Sequence, residues 1–143
     1  MNLEAVFSAC NLIAILGWVL LVIAPRRAAV RLVCGVVIPA LLAVVYLGLI
    51  LRHFGSSEGG FGSLALVAQL FENPAMLLAG WVHYLVFDLF IGAWQTRDAA
   101  RHGIRHLLVV PCLVLTFLLG PIGLLLYLAA RTWTTRGVDL QVS

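Results

Sequence analysis

The residues best suited to chemistry stand in one stretch, Trp81-Val82-His83-Tyr84-Leu85-Val86-Phe87-Asp88-Leu89-Phe90, inside a long apolar run. Ionisable groups in such surroundings are costly and mark functional sites by default. His83 there can act as a base, a ligand or a substrate contact. Asp88 can act as a proton donor, because a carboxyl group desolvated by apolar neighbours is held in its neutral form. Each also has a structural reading. His83 can make an interhelical hydrogen bond, and Asp88 can bond to Asn11, Thr116 or Tyr84 or pair with Arg31 or Arg105. Trp81 and Tyr84 serve either as packing or as the walls of a substrate site.

A helix must position these groups, and its periodicity separates them. At about 100° per residue, Leu77, Trp81, Tyr84, Asp88, Gly92 and Gln95 share one stripe. His83 lies about 140° from Asp88 on the same count, beside Gly80, Phe87, Phe90 and Trp94. A spacing of five does not bring two helical side chains together. A His–Asp pair therefore needs a cavity that wraps around the helix, or His83 meets Asn11 or Tyr46 on another helix.

The rest of the chain says what kind of helix this is. Of 143 residues, 63% are hydrophobic and 10% charged, against about 25% charged in an ordinary soluble domain. The length allows one domain, residues 1–143, and its composition is that of an integral membrane protein. Four runs reach the roughly 20 apolar residues that a span needs: residues 3–24, 32–51, 74–95 and 107–128. In hydrocarbon they must be helices. The fold class is all-α: a four-helix membrane bundle, with a short interfacial helix between the second and third spans. Leu64, Val67, Leu70 and Phe71 give that short helix its period, and Ser63 can cap it. Asn73-Pro74 opens the third span as N-cap and first-turn proline. The N-terminus lacks a basic region and carries Glu4, so the first run reads as a retained helix rather than a signal peptide.

Arginine sets the orientation, and there is no lysine. Arg26, Arg27, Arg31, Arg97, Arg101 and Arg105 fall on one side of a four-span arrangement; Arg52, Arg131 and Arg136 fall on the other. The positive-inside rule then predicts a protein of the cell (inner) membrane with both termini outside.

Depth, counted at about 1.5 Å per residue, groups the polar residues into two layers. His83 comes out level with Asn11, Tyr46 and Gly120-Pro121, and Asp88 level with Pro39 and Thr116. Pro121 is internal to its run and frees the carbonyl of Phe117, so a kink or break is expected there. Irregular backbone at membrane depth survives only where protein buries it or where it lines a cavity. That points to a site near Gly120-Pro121.

Other chemistries find little support. Cys10, Cys34 and Cys112 read as small hydrophobes without metal-ligand spacing. His102 and His106 stand four apart beside Arg101 and Arg105 and read as a basic flank facing lipid headgroups. No metal and no cofactor is indicated. There is no P-loop, dinucleotide fingerprint or nucleophile elbow, and nucleic acid is not a partner.

The sequences "WVHYLVFDLFIG" and "GPIGLLLY" resemble the membrane family named for the plant abscisic-acid-deficient-four protein, with a bacterial-type member here. The shared pattern falls on Trp81, His83, Asp88, Leu89, Phe90, Pro121 and Gly123. The resemblance implies a role with carotenoid or other isoprenoid substrates. The implied chemistry is conversion of a 5,6-epoxide into an allenic alcohol, an isomerisation that needs one proton delivered and one removed. Asp88 as acid and His83 as base would serve it, with Trp81, Tyr84, Asn11, Thr116, Gly120 and Pro121 around the substrate. The alternative is a non-enzymatic membrane component that binds a lipid, a pigment or a partner protein. Proton-coupled transport is weaker, with one acid inside the spans. Membrane lipids are partners in either case, and the oligomeric state stays open.

Overall fold

Asn2, Ser63 and Asn73 mark where helices begin, because each supplies a side-chain acceptor to an amide of the first turn. The computed structural model describes residues 2–139, and every regular element among them is helical. α1 (Leu3–Ile23) stops ahead of Pro25. α2 (Ala28–Ser56) contains a π-helical turn at Val33–Val37. Pro39 gives the reason. A proline lacks an N–H and its ring crowds the carbonyl four residues back, and a wide turn absorbs that defect. The Ile38 amide accordingly bonds the Val33 carbonyl. α3 (Leu64–Glu72) is the short helix expected between the second and third spans. α4 (Pro74–Arg101) follows at once, with Pro74 in its first turn. α5 (His106–Leu119) and α6 (Pro121–Asp139) complete the chain.

α1, α2 and α4 are long and apolar enough to cross a membrane. α4 is central and packs against α1, α2, α3, α5 and α6. Leu21, Leu42, Val82, Leu89 and Leu113 are buried around it, while Leu16, Val44, Leu51 and Leu125 are turned outward. So many large hydrophobics on the outer surface require an apolar solvent.

Two expectations change here. α4 does not end at Gln95 but continues to Arg101, because nothing between Gln95 and Gly103 breaks a helix. The fourth expected span, 107–128, is not one helix. α5 has 14 residues, about 21 Å of helix, too short for the roughly 30 Å of hydrocarbon. The chain then reverses at Gly120. Contacts along α4 show the direction of return: Asp88 lies on Gly120, Gln95 on Gly123, Asp98 on Tyr127 and His102 on Arg131. α6 therefore runs parallel to α4, back towards the end from which α5 came. In place of a four-helix bundle there are three long helices and a half-length hairpin.

The reversal depends on two glycines. Gly120 has φ 38 and ψ −93, a backbone that side chains disfavour. A Cβ there would also lie 2.9 Å from Asp88 Oδ1. Gly123 lets α6 close directly onto the backbone of Thr116. Gly120→Ala is expected to cost at least about 1 kcal/mol, seen as a lower unfolding midpoint in detergent. Gly48→Ala, where a Cβ meets nothing within 4 Å, should leave that midpoint unchanged.

Candidate functional site

The hairpin apex carries the costliest backbone in the molecule. Pro121 has no N–H, so the carbonyl of Phe117 loses its helical partner. The hydroxyl of Tyr84 donates to that carbonyl. Sequence reasoning identified the orphan carbonyl but not the group that satisfies it. Three turns along α4 from Tyr84, Gln95 Nε2 donates to Thr116 Oγ1 at 3.0 Å, and the Thr116 hydroxyl donates to the Cys112 carbonyl at 2.8 Å. Gln95 and Thr116 are both 0% exposed, and they tie α5 to α4.

Asp88 sits against Gly120, beside the first turn of α6. A helix N-terminus favours negative charge, while apolar burial favours the neutral acid. Its Oδ2 is buried and has no hydrogen-bond partner among the described residues. The expected layers had put Gly120 level with His83 and Asp88 level with Thr116. They fail because α4 continues to Arg101, which moves the origin of the depth count by about 9 Å. Counted from Arg101 and from His106, Asp88 and Gly120 fall at one depth of about 20 Å.

A short hairpin leaves half of the central helix uncovered. Beyond Tyr84 the α1–α4 face opens into a cavity of about 610 Å³, lined by Leu3, Glu4 and Phe7 of α1, Phe71 of α3, and Leu77, Trp81 and Tyr84 of α4. Asn11 orients one wall, accepting from Trp81 Nε1 at 2.9 Å. The Trp81 ring packs against Tyr84 and Phe7, with centroids 5.3 and 5.8 Å apart. Tyr84 thus lines the cavity with its ring and braces the hairpin with its hydroxyl. Asp88 lies one helical turn deeper.

The expected site residues separate into groups. Trp81 and Tyr84 line the cavity and Asn11 supports it, while Asp88, Gly120 and Pro121 meet at the hairpin apex, one helical turn beyond the Tyr84 wall. Thr116 is committed to Gln95 instead of Asp88. His83 is apart from all of these. Its ring lies outward between Phe87 and Tyr46, at centroid distances of 4.6 and 5.8 Å. Of the two neighbours read for His83, Tyr46 is met and Asn11 is not.

One polar cluster lay outside the sequence reading. Buried Asp98 accepts from the Tyr127 hydroxyl at 2.7 Å and pairs with Arg131 Nε at 3.1 Å. His102 Nδ1 donates to the Asp98 carbonyl at 2.9 Å, and its Nε2 accepts from Arg131 at 3.1 Å. The cluster fastens the far end of α6 to the end of α4. The signal was present: extending the stripe past Gln95 brings Asp98 and His102 near the face of Asp88. Assigning residues 96–106 to a loop concealed it. Among the described residues, no three His, Cys, Asp or Glu side chains group as metal ligands.

Three apolar helices of spanning length, with large hydrophobic side chains turned outward, mark a helical membrane protein. Within that class, the chain belongs to the ABA DEFICIENT 4-like family, whose model matches residues 5–127. The matched region holds the cavity, Asp88 and the hairpin apex. No curated protein and no solved structure matches the chain. Removing the brace tests the site's construction. Tyr84→Phe leaves the Phe117 carbonyl unpaired and should lower stability by about 1 kcal/mol, measured as a shift of the unfolding midpoint in detergent.

Proposed function

We propose that this membrane protein binds an elongated isoprenoid lipid of the carotenoid class in the α1–α4 cavity, and that Asp88 exchanges a proton with it. One juxtaposition carries this reading: an apolar cavity between apolar helices is walled by Tyr84, and one helical turn behind that wall lies a buried carboxyl oxygen without a partner among the described residues. Flat aromatic walls suit a long conjugated chain, and the substrate class is the one that the family resemblance implies.

The reaction favoured is an isomerisation of an epoxide to an allenic alcohol. Asp88 gives its proton to the epoxide oxygen as the ring C–O bond breaks. The adjacent chain carbon loses a proton, and the electron pair of that C–H bond forms the new double bond. The Asp88 carboxylate takes this proton, which restores the acid and leaves no net proton change. His83 faces away from the cavity, so the reading assigns it no step. Extracts of membranes given an epoxy-carotenoid should contain the allenic product. Asp88→Asn should fold normally and lose about 10²–10⁴-fold in rate, while His83→Ala should retain it. Turnover by Asp88→Asn at the wild-type rate overturns the assignment.

A non-enzymatic binder is the second reading, favoured by a cavity whose lining is apolar except for Glu4, the Trp81 indole N–H and the Tyr84 hydroxyl. It predicts that the isoprenoid copurifies with the protein and is recovered unchanged.

The hairpin also bears on topology. Returning α6 puts Arg131 and Arg136 at the end that holds Arg26, Arg27, Arg31, Arg97, Arg101 and Arg105, and leaves Arg52 by itself at the other. The positive-inside rule then favours three crossings of the cell (inner) membrane, with the start of α1 outside and the end of α6 inside. This replaces the reading with both termini outside. A fluorescent protein fused after α6 should fluoresce in the cytoplasm, and alkaline phosphatase fused there should be inactive. Active phosphatase at that position restores the four-span arrangement.

A further inference from the structure

The arginine-rich end holds a second place where a ligand fits, at the opposite end of α1 from the cavity. A small pocket of about 60 Å³ lies between the α1–α2 turn and the start of α5, lined by Arg26, Arg31, Thr96, Ile104 and His106 among others. Arg31 Nη1 donates to the Arg26 carbonyl at 2.6 Å. That bond uses one of five guanidinium N–H groups and holds the charge over the pocket. Among the described residues Asp98 pairs with Arg131, with the His102 ring beside it, and no ion pair involves Arg26 or Arg31. α5 begins beside the pocket with no side-chain cap, so its first amides add to the positive potential.

An apolar groove lies beside the pocket. His106 Nε2 donates to the Val22 carbonyl at 2.9 Å, which joins α5 to α1 at the rim. From Val22 and Ile23 a groove of about 290 Å³ runs between α1 and α5 to Ile15 and Phe117, lined only by hydrophobic side chains. Eight residues of α1 give it a length of about 12 Å. A basic pocket next to an apolar groove matches an amphiphile with a phosphate head and an acyl tail. A soluble anion would not use the groove, and a neutral lipid would not use the arginines.

We infer that this corner is a binding site for an anionic phospholipid, its phosphate held by Arg26 and Arg31 and one acyl chain lying between α1 and α5. The site is separate from the isoprenoid cavity, so either can fail without the other. It is tested on the full chain, purified in detergent and stripped of lipid, then titrated with phosphatidylglycerol, phosphatidylcholine or inorganic phosphate. Native mass spectrometry and the unfolding midpoint report binding. Phosphatidylglycerol should remain bound and raise the midpoint more than phosphatidylcholine does. Arg26→Gln keeps the carbonyl that Arg31 uses and should weaken binding about fivefold. Val19→Trp, which fills the groove, should weaken it as well. Arg52→Gln at the far end should change nothing. Equal response to both lipids, or an unchanged affinity in Arg26→Gln, overturns the site. Stabilisation by inorganic phosphate that matches phosphatidylglycerol, and that Val19→Trp leaves intact, reassigns the pocket to a soluble anion and overturns the lipid.

Discussion

The hydroxyl of Tyr84 on the carbonyl of Phe117 is the contact on which the architecture turns. A chain can reverse inside hydrocarbon only if every backbone group exposed by the reversal finds a partner within the protein. Pro121 removes one amide and so creates one orphan acceptor. Tyr84 answers it from the central helix, and Gln95 and Thr116 fasten the helix leading into the turn. Gly120 and Gly123 remove the side chains that would otherwise hold the two arms apart. Without that set of partners the same residues would have to continue as a single apolar span.

A half-length hairpin divides the α4 face in two. Its inner half is packed by α5 and α6 and sealed by the cluster around Asp98. Its outer half is left to α1 and α3, and the cavity occupies the remaining space. The boundary between the halves is where Asp88 and Tyr84 lie. The acid is placed where packed protein stops and an open apolar space begins, which a full-length fourth helix would not allow. The same hairpin leaves the groove between α1 and α5 on the inner half, under the arginines. One chain reversal therefore generates both the cavity and the groove.

Much of the fold was legible because membrane helices are written in local terms. The caps at Ser63 and Asn73, the first-turn Pro74 and the short α3 all stand where their residues placed them. The stripe from Leu77 to Gln95 does face α1 and the hairpin, and Gly92 lies directly under Trp18. The break at Gly120-Pro121 was equally readable, since a proline there removes a bond whatever surrounds it. The depth layers were not readable. They depended on where α4 ends, and a misplaced end displaces every partner assigned by height.

By itself, then, the sequence determined most of the helical segments, which faces are polar, that the last apolar run kinks or breaks at Gly120-Pro121, and that His83 and Asp88 face different ways. These follow from periodicity, capping and the chemistry of proline, all of which act over a few residues. Only the tertiary structure decided that the break is a reversal, that Tyr84 closes it, and that Asp88 rather than His83 meets the apex. Those outcomes rest on pairings between residues 29 to 33 positions apart, from Asp98 with Tyr127 to Tyr84 with Phe117. A run of 22 apolar residues reads the same whether it crosses hydrocarbon once or folds back halfway. The difference lies in whether another helix offers partners for the backbone that the turn exposes.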